Sequence, residues 1–400
     1  MKILLINERL DFAGGAERYT VDIAAGLAGL GHEIEIIYGF GDKFSIPESA
    51  LSTPLAKVKT VFIDGLEVAA VSAEAQSFNP DVINVQSINE PKLLTELSRL
   101  KPTTSFIHDH RSYCPGNSKL WFSSNRVCPI PMSLKCAAYA YKEKCMTRRI
   151  TKLVGRINNR REMLSALGQL PLVMCNSHYV REQLIQNGLD EKKVVVNGLF
   201  PGGLSTGVSG TFRPETELQP EILFVGRVFI EKGVEYLLRA AALISDIPFK
   251  ISIIGEGWDL KRCGELALEL KIDGRAEFTG FLPREEIDKF YQRCRLLVVP
   301  SIWPEPFGMV GLEAYRFGKP VVAFAEGGVT DWLSDNQTGY LVERGNVQML
   351  ADKMSVLLRD SSLAGRLGEA GRSLVLEKFS PERHLRQLTD TYRSLTVNRR

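Results

Sequence analysis

The 400-residue sequence contains no apolar run of the ~18–20 residues that cross a bilayer. Its opening, MKILLINERLDFAGG, holds too short an apolar stretch for a secretory signal and offers no small-residue cleavage site. Cysteines number 7, an odd count in a large chain, which argues against a secreted disulfide framework. Net charge is only +3, although its distribution is uneven. These absences lead us to expect a cytoplasmic protein, and 44% hydrophobic with 24% charged residues suits a globular one. The length calls for two or three domains.

What is present is strand–helix alternation. KILLIN (2–7), EIEIIYG (33–39), VKTVFI (58–63), DVINVQ (81–86), TSFIHD (104–109), LVMCNS (172–177) and KVVVNG (193–198) read as buried strands. Stretches such as GAERYTVDIAAGLAGLGH place apolar residues at helical spacing between them. This alternation implies a parallel sheet covered on both faces. Residues 200–220 are rich in Gly, Ser, Thr and Pro and read as a linker. A second series follows: EILFVGRV, FKISIIGEG, AEFTGFL, RLLVVPS, KPVVAFA and TGYLVE. The expectation is an α/β chain of two doubly wound, Rossmann-like domains, 1–199 and 221–380. A helix over 381–400 is expected to pack back on the first. Open parallel sheets hold ligands beyond the carboxyl ends of their strands, so two such domains suggest a cleft with a ligand on each wall.

Several turns could carry chemistry. GRVFIEKG sets Arg227 and Lys232 just past a strand end, although most such pairs are solvated surface. EPFG reads as a strand-to-helix turn, with Pro306 near the first helical position and the N–H groups of Phe307, Gly308 and Met309 free for an anion. Glu305 then lies outside the helix and Glu313 two turns in, ~10 Å further along the axis. The plain alternative is a cap-region acid and a surface acid. GGAE offers Gly14 and Gly15 at a turn before a helix, but misses the dinucleotide pattern G-x-G-x-x-G. His108 ends a strand, and a period of two would point His110 the same way. The glycines of GEG and GFLP are explained equally well as turn residues.

Taken in order and at their spacing, FVGRVFIEKG, IIGEG, FTGFLPREE, VVPSIWPEPFGMVGLEAYRFGKPVVAFAEGG and NQTGYLV resemble the retaining family-4 glycosyltransferases of the GT-B fold, the glycosyl transferases group 1. The first half is similar more loosely, through GGAE, HD and VNG. The resemblance implies a nucleotide-diphosphate sugar donor. Arg227 and Lys232 would hold its diphosphate, Glu305 its sugar hydroxyls and Glu313 the ribose. Gly14, Gly15, Phe307, Gly308 and Met309 would face phosphate or sugar, and Gly255, Phe281 and Leu282 the base. His108 would assist the reaction beside the sugar, with Glu305 as the other catalytic residue. The resemblance also implies retention and independence from metal, and the donor half has no Asp-x-Asp motif. The acceptor would be a saccharide or a lipid-linked sugar, as in polysaccharide or glycan biosynthesis. The rival readings are a GT-B nucleotide-sugar epimerase, and a nucleotide-sugar- or nucleic-acid-binding protein without turnover.

Residues 111–161 depart from the pattern. They lack a strand signature and carry twelve basic residues against a single acid, Glu143. Tyr113, Trp121, Phe122, Tyr139 and Tyr141 are interleaved. Such a stretch suits an anionic membrane surface, here at the inner face, with nucleic acid less favoured; a solvated helical face is the plain alternative. Cys114, Cys128, Cys136 and Cys145 lie in the same stretch. Four clustered thiols suggest a structural zinc site, but the gaps are wide and lack C-x-x-C knuckles, so disulfides or buried thiols stay open.

Overall fold

The computed structural model describes residues 1–10, 15–41, 53–202 and 219–397. The chain divides into two compact units, Met1–Ser205 with Pro381–Arg400, and Thr206–Ser380. Most of the expected linker, and Gly14, lie outside the described residues.

The first unit is built on strands β1 (Lys2–Ile6), β2 (Glu33–Tyr38), β3 (Lys59–Phe62), β4 (Val82–Val85) and β5 (Thr103–Ile107), a two-residue pair β6 (Leu120–Trp121) and β7 (Arg126–Val127), then β8 (Leu172–Cys175) and β9 (Val194–Val196). Seven of them form one sheet in the order β3-β2-β1-β4-β5-β8-β9. Every pairing in it is parallel; β1, for example, pairs Ile3 with Ile34 on one side and with Val82 on the other. β1 is buried almost end to end, as a strand covered on both faces must be. The residues between β5 and β8, where the sequence shows no strand signature, hold the antiparallel pair β6–β7 and helices Lys135–Glu143 and Ile150–Gln169. A small apolar cluster of Cys136, Ala140, Leu153 and Ile157 packs there.

The helix Pro381–Val397 belongs to this unit. Its His384 donates from Nδ1 to the Gly198 carbonyl at 2.9 Å and accepts at Nε2 from Tyr19 Oη at 2.7 Å. Gln387 donates to the Val196 carbonyl at 2.9 Å, and Tyr392 Oη accepts from Asn84. Gly26 on the helix Gly15–Gly29 makes room for Leu385; a Cβ there would meet Leu385 Cδ1 at 2.4 Å.

The second unit holds β10 (Glu221–Val225), β11 (Lys250–Ile254), β12 (Ala276–Gly280), β13 (Leu296–Val299), β14 (Val321–Phe324) and β15 (Gly339–Val342). They form a parallel six-stranded sheet, β12-β11-β10-β13-β14-β15. The chain runs outward from β10 to β12, then returns to β13 at the other side of β10. That reversal makes the space beyond the carboxyl ends of β10 and β13 the topological switch point, where open α/β sheets hold ligands.

Candidate functional site

The turns beyond β10 and β13 meet at that switch point. After β10 the chain passes Gly226 and Arg227, then a 3-10 turn Ile230–Lys232, and enters the helix Val234–Leu243 through Gly233. Gly233 has φ +73°, and a Cβ on it would meet the Pro300 carbonyl oxygen at 1.9 Å. Only glycine fits so close an approach between the two turns. Lys232 Nζ donates to Glu305 Oε1 at 2.6 Å and lies 4.5 Å from the centre of the Trp303 ring. Glu305 is buried, and its backbone is fixed by a bridge to Gly327 and by Gly328 N–H, which donates to its carbonyl at 2.6 Å. Arg227 is exposed and lies 5.1 Å from the centre of the Phe229 ring. Phe229 in turn stacks on Trp258, an exposed residue. The structure thus joins Lys232 and Glu305 directly and sets Arg227 on an aromatic stack.

The helix after Glu305 is Met309–Arg316, capped by Gly308 at φ +87°. It therefore starts three residues later than EPFG suggests. Glu305 is still extended and paired with Gly327, so Pro306 precedes the helix and is not its first residue. Glu313 consequently stands little more than one turn in, ~6 Å from the helix start. Phe307 is buried; its ring packs 5.9 Å from that of Phe379, and its carbonyl accepts from Trp332 Nε1 at 2.6 Å. Glu313 is gripped from two sides. Arg284 donates to its Oε1, and Tyr291 Oη donates to its Oε2 at 3.0 Å. Burial opposes the charge on Arg284, and Glu313 and Tyr291 more than offset it, so the guanidinium pKa is raised. Burial, then the Glu313 carboxylate, raises the Tyr291 phenol.

Gly255, at φ +132°, lets the turn after β11 lie against the turn after β10, since a Cβ would meet the Gly226 carbonyl oxygen at 2.0 Å. Phe281 is exposed and Leu282 half-buried just beyond β12.

In the first unit, Gly15 begins the helix Gly15–Gly29. His108 follows β5, is buried, and donates from Nε2 to Gln86 Oε1 at 2.8 Å. Its ring stacks on Phe106 with centres 4.7 Å apart, and Tyr19 meets it edge-on at 4.9 Å. Burial pushes the imidazole down to about 3, against the opposing pull of Asp109, so His108 is neutral near pH 7. His110 does not share its direction. β5 ends at Ile107, and His110 opens a 3-10 turn in which its Nδ1 lies 2.7 Å from Tyr113 Oη. Strand alternation cannot be carried past the strand.

The basic stretch is reduced as a surface. Lys119 and Arg160 are buried, and Arg111 is paired with Glu8 at 2.7 Å and Asp109 at 2.8 Å. Tyr113 is core, and Trp121 stacks on Tyr139 at 4.8 Å. Lys142, Lys144, Arg148, Arg149, Lys152 and Arg156 are exposed, among exposed Leu134, Tyr141, Ile150 and Val154. All seven cysteines are free thiols in this structure. Cys114, Cys128, Cys136 and Cys145 line one small cavity, although among the described residues no three His, Cys, Asp or Glu side chains converge as they stand to hold a metal ion. No helix of the described residues is long and apolar enough to cross a membrane.

Sequence reasoning misses Trp303, Trp258, Arg284, Tyr291 and Gln86. Each acts through a contact distant in sequence, so no local motif marks it.

Two parallel α/β sheets, one in each unit, are the architecture of the GT-B class, and comparison with known proteins assigns the chain to it. The family model of glycosyl transferases group 1 matches residues 212–374, and that of glycosyltransferase family 4 matches residues 13–198. The chain belongs to the family-4 glycosyltransferases of the GT-B fold. It is 31% identical over 224 residues to an uncharacterized glycosyltransferase of Methanocaldococcus jannaschii, covering 56% of this chain and 60% of that one. It is 35% identical over 230 residues to a D-inositol 3-phosphate glycosyltransferase of Corynebacterium urealyticum, covering 53% of this chain and 54% of the relative. The chain thus spans little more than half the length of these two curated relatives. Among solved structures, Anabaena HepE in complex with UDP and glucose superposes with a TM-score of 0.71 at 20% identity, over 98% of this chain and 100% of that one.

Proposed function

We propose that this protein transfers a sugar, with retention of configuration, from a nucleotide-diphosphate sugar to a saccharide or lipid-linked acceptor. The observation that carries the reading is the Lys232–Glu305 pair at the switch point of the second sheet. Bond cleavage puts negative charge on the leaving diphosphate. An ammonium and a guanidinium, Lys232 and Arg227, would stabilise it by charge-assisted hydrogen bonds. Glu305, a carboxylate held by Lys232, would accept from sugar hydroxyls. Glu313, fixed by Arg284 and Tyr291, would accept from the ribose. The N–H groups that open the helix Met309–Arg316 suit an anion. Neutral His108 would offer a hydrogen-bonding edge to the sugar and carry no charge.

Retention and independence from metal rest on family membership, with two supports. Glu305 would be occupied with sugar hydroxyls once donor binds, as suits binding better than nucleophilic attack, and the cationic pair Lys232 and Arg227 would supply the charge that a metal on an Asp-x-Asp motif otherwise brings. The exposed basic and apolar side chains over residues 134–156 suit an anionic leaflet beside a lipid-linked acceptor, with the enzyme cytoplasmic and peripheral.

The test is a thermal-shift screen of UDP-, GDP-, ADP- and dTDP-sugars. A ligand bound only by the native state raises the melting temperature. One donor class should stabilise the protein, and Lys232→Ala should abolish the shift. A screen in which no nucleotide sugar moves the transition contradicts the reading.

A further inference from the structure

We infer that Cys114, Cys128, Cys136 and Cys145 are the four ligands of one zinc ion that fastens the stretch between β5 and β8. The four thiols come from separate places. Cys114 follows the 3-10 turn His110–Ser112, Cys128 follows β7, Cys136 lies on the helix Lys135–Glu143, and Cys145 follows that helix. Nevertheless all four line a single cavity of about 20 Å³. That volume admits one atom-sized occupant. It suits a single ion. Four sulfur ligands round one ion is the tetrahedral arrangement of structural zinc.

Charge supplies an independent argument. Lys119 lines the same cavity and is 3% exposed, yet its ammonium donates only to the Ile130 carbonyl, at 2.8 Å, with no carboxylate partner among the described residues. Arg160, just outside the cavity lining, is also 3% exposed, and its hydrogen-bond partners are the side-chain amides of Asn89, Asn159 and Asn117. A buried cation without a carboxylate partner beside four thiols is costly unless something anionic faces it. Zinc binding would displace four thiol protons to solvent and leave a Zn(Cys)4 group of net charge −2 facing the Lys119 ammonium.

The stretch also needs a fastener. Its strands β6 and β7 have two residues each, its one helix before Ile150 has nine, and its own apolar cluster is small. A metal supplies folding free energy where a core is too small to do so. As they stand, the thiols line the cavity without converging, and the Cys128 thiol donates to the Ile130 carbonyl at 3.9 Å. Each sulfur swings on the single torsion χ1, and the inference requires that such rotation carry the four from lining to ligating.

The experiment is metal analysis of the full chain purified without chelator, followed by exchange of the bound metal for cobalt(II). The expected result is about one zinc per chain, and a cobalt form with thiolate-to-cobalt charge-transfer and tetrahedral d–d absorption. Cys136→Ser with Cys145→Ser should lose both. Should that variant fail to fold, the wild-type cobalt spectrum still decides. Wild-type protein with no zinc and no thiolate–cobalt band overturns the inference. So does a folded double variant that keeps both.

Discussion

Lys232 Nζ and Glu305 Oε1 stand 2.6 Å apart, joining the turn beyond β10 to the turn beyond β13 across the switch point of the second sheet. The pair is largely desolvated, with side-chain exposures of 17% and 8%. Without donor, each residue neutralises the other; with donor, the ammonium would turn to phosphate and the carboxylate to sugar. Lys232→Ala should lower kcat by 10²–10³-fold, about 3–4 kcal/mol, as the loss of a preorganised donor does. Arg227→Ala should fall in the same range. Turnover within threefold of wild type for both variants refutes the phosphate assignment.

The two glutamates should separate in a binding experiment. Glu313→Gln should weaken the free nucleoside diphosphate, whereas Glu305→Gln should spare it and impair transfer. The structure extends this to the neighbours of Glu313. Tyr291→Phe removes the hydroxyl that donates to Oε2, and Arg284→Met removes the donor to Oε1. Both should weaken nucleoside diphosphate binding in calorimetry, by roughly 1–3 kcal/mol for an unpaired group left behind. Equal losses for Glu305→Gln and Glu313→Gln contradict the division of roles.

How far the sequence reveals this site depends on the range of the contacts. Every strand of the two large sheets is legible: central strands such as β1 and β13 are continuous apolar runs buried on both faces, and the part-buried edge strands β3 and β12 are mixed runs that continue the strand–helix alternation. The β6–β7 pair is not, since two residues set no period. The start of the helix carrying Glu313 is misread because Glu305 pairs with Gly327, a tertiary bridge that holds the chain extended past Pro306. His110 is misdirected for a related reason: its strand has already ended. The Arg284–Glu313 and Gln86–His108 contacts are invisible locally, as each spans more than twenty residues.

Acid should destabilise the first unit through two buried histidines. Burial lowers His108 to about 3 and His384 to about 4, while the unfolded chain takes up protons near 6.5. Folded pKa values below the unfolded ones mean that the unfolded state binds more protons as pH falls. Their stabilising contribution is therefore full above about pH 6.5 and is lost on the way down towards pH 4. Each histidine can contribute a slope of up to about 1.4 kcal/mol per pH unit. Urea unfolding at pH 7, 5.5 and 4.5 should show this slope, and His384→Gln should flatten it. Identical slopes in wild type and variant contradict the assignment.

Membrane attachment is tested by flotation with liposomes containing anionic lipid. Wild-type protein should float at low salt and be released at high salt, because exposed charges are screened within about 8–10 Å. Replacing Lys142, Lys144, Arg148, Arg149 and Lys152 with Gln should keep the protein in the soluble fraction. Wild-type protein that ignores anionic liposomes at low salt points to a soluble acceptor.

The central claim, sugar transfer from a nucleotide sugar with retention, is tested most directly by product NMR. The protein is incubated with the nucleotide sugar selected by thermal shift, and the first-formed products are recorded before the free sugar mutarotates. The account predicts slow release of the nucleoside diphosphate and of a sugar in the donor's own anomeric configuration. Release of the opposite anomer, a nucleotide sugar inverted at C2, or no cleavage of any donor would contradict it.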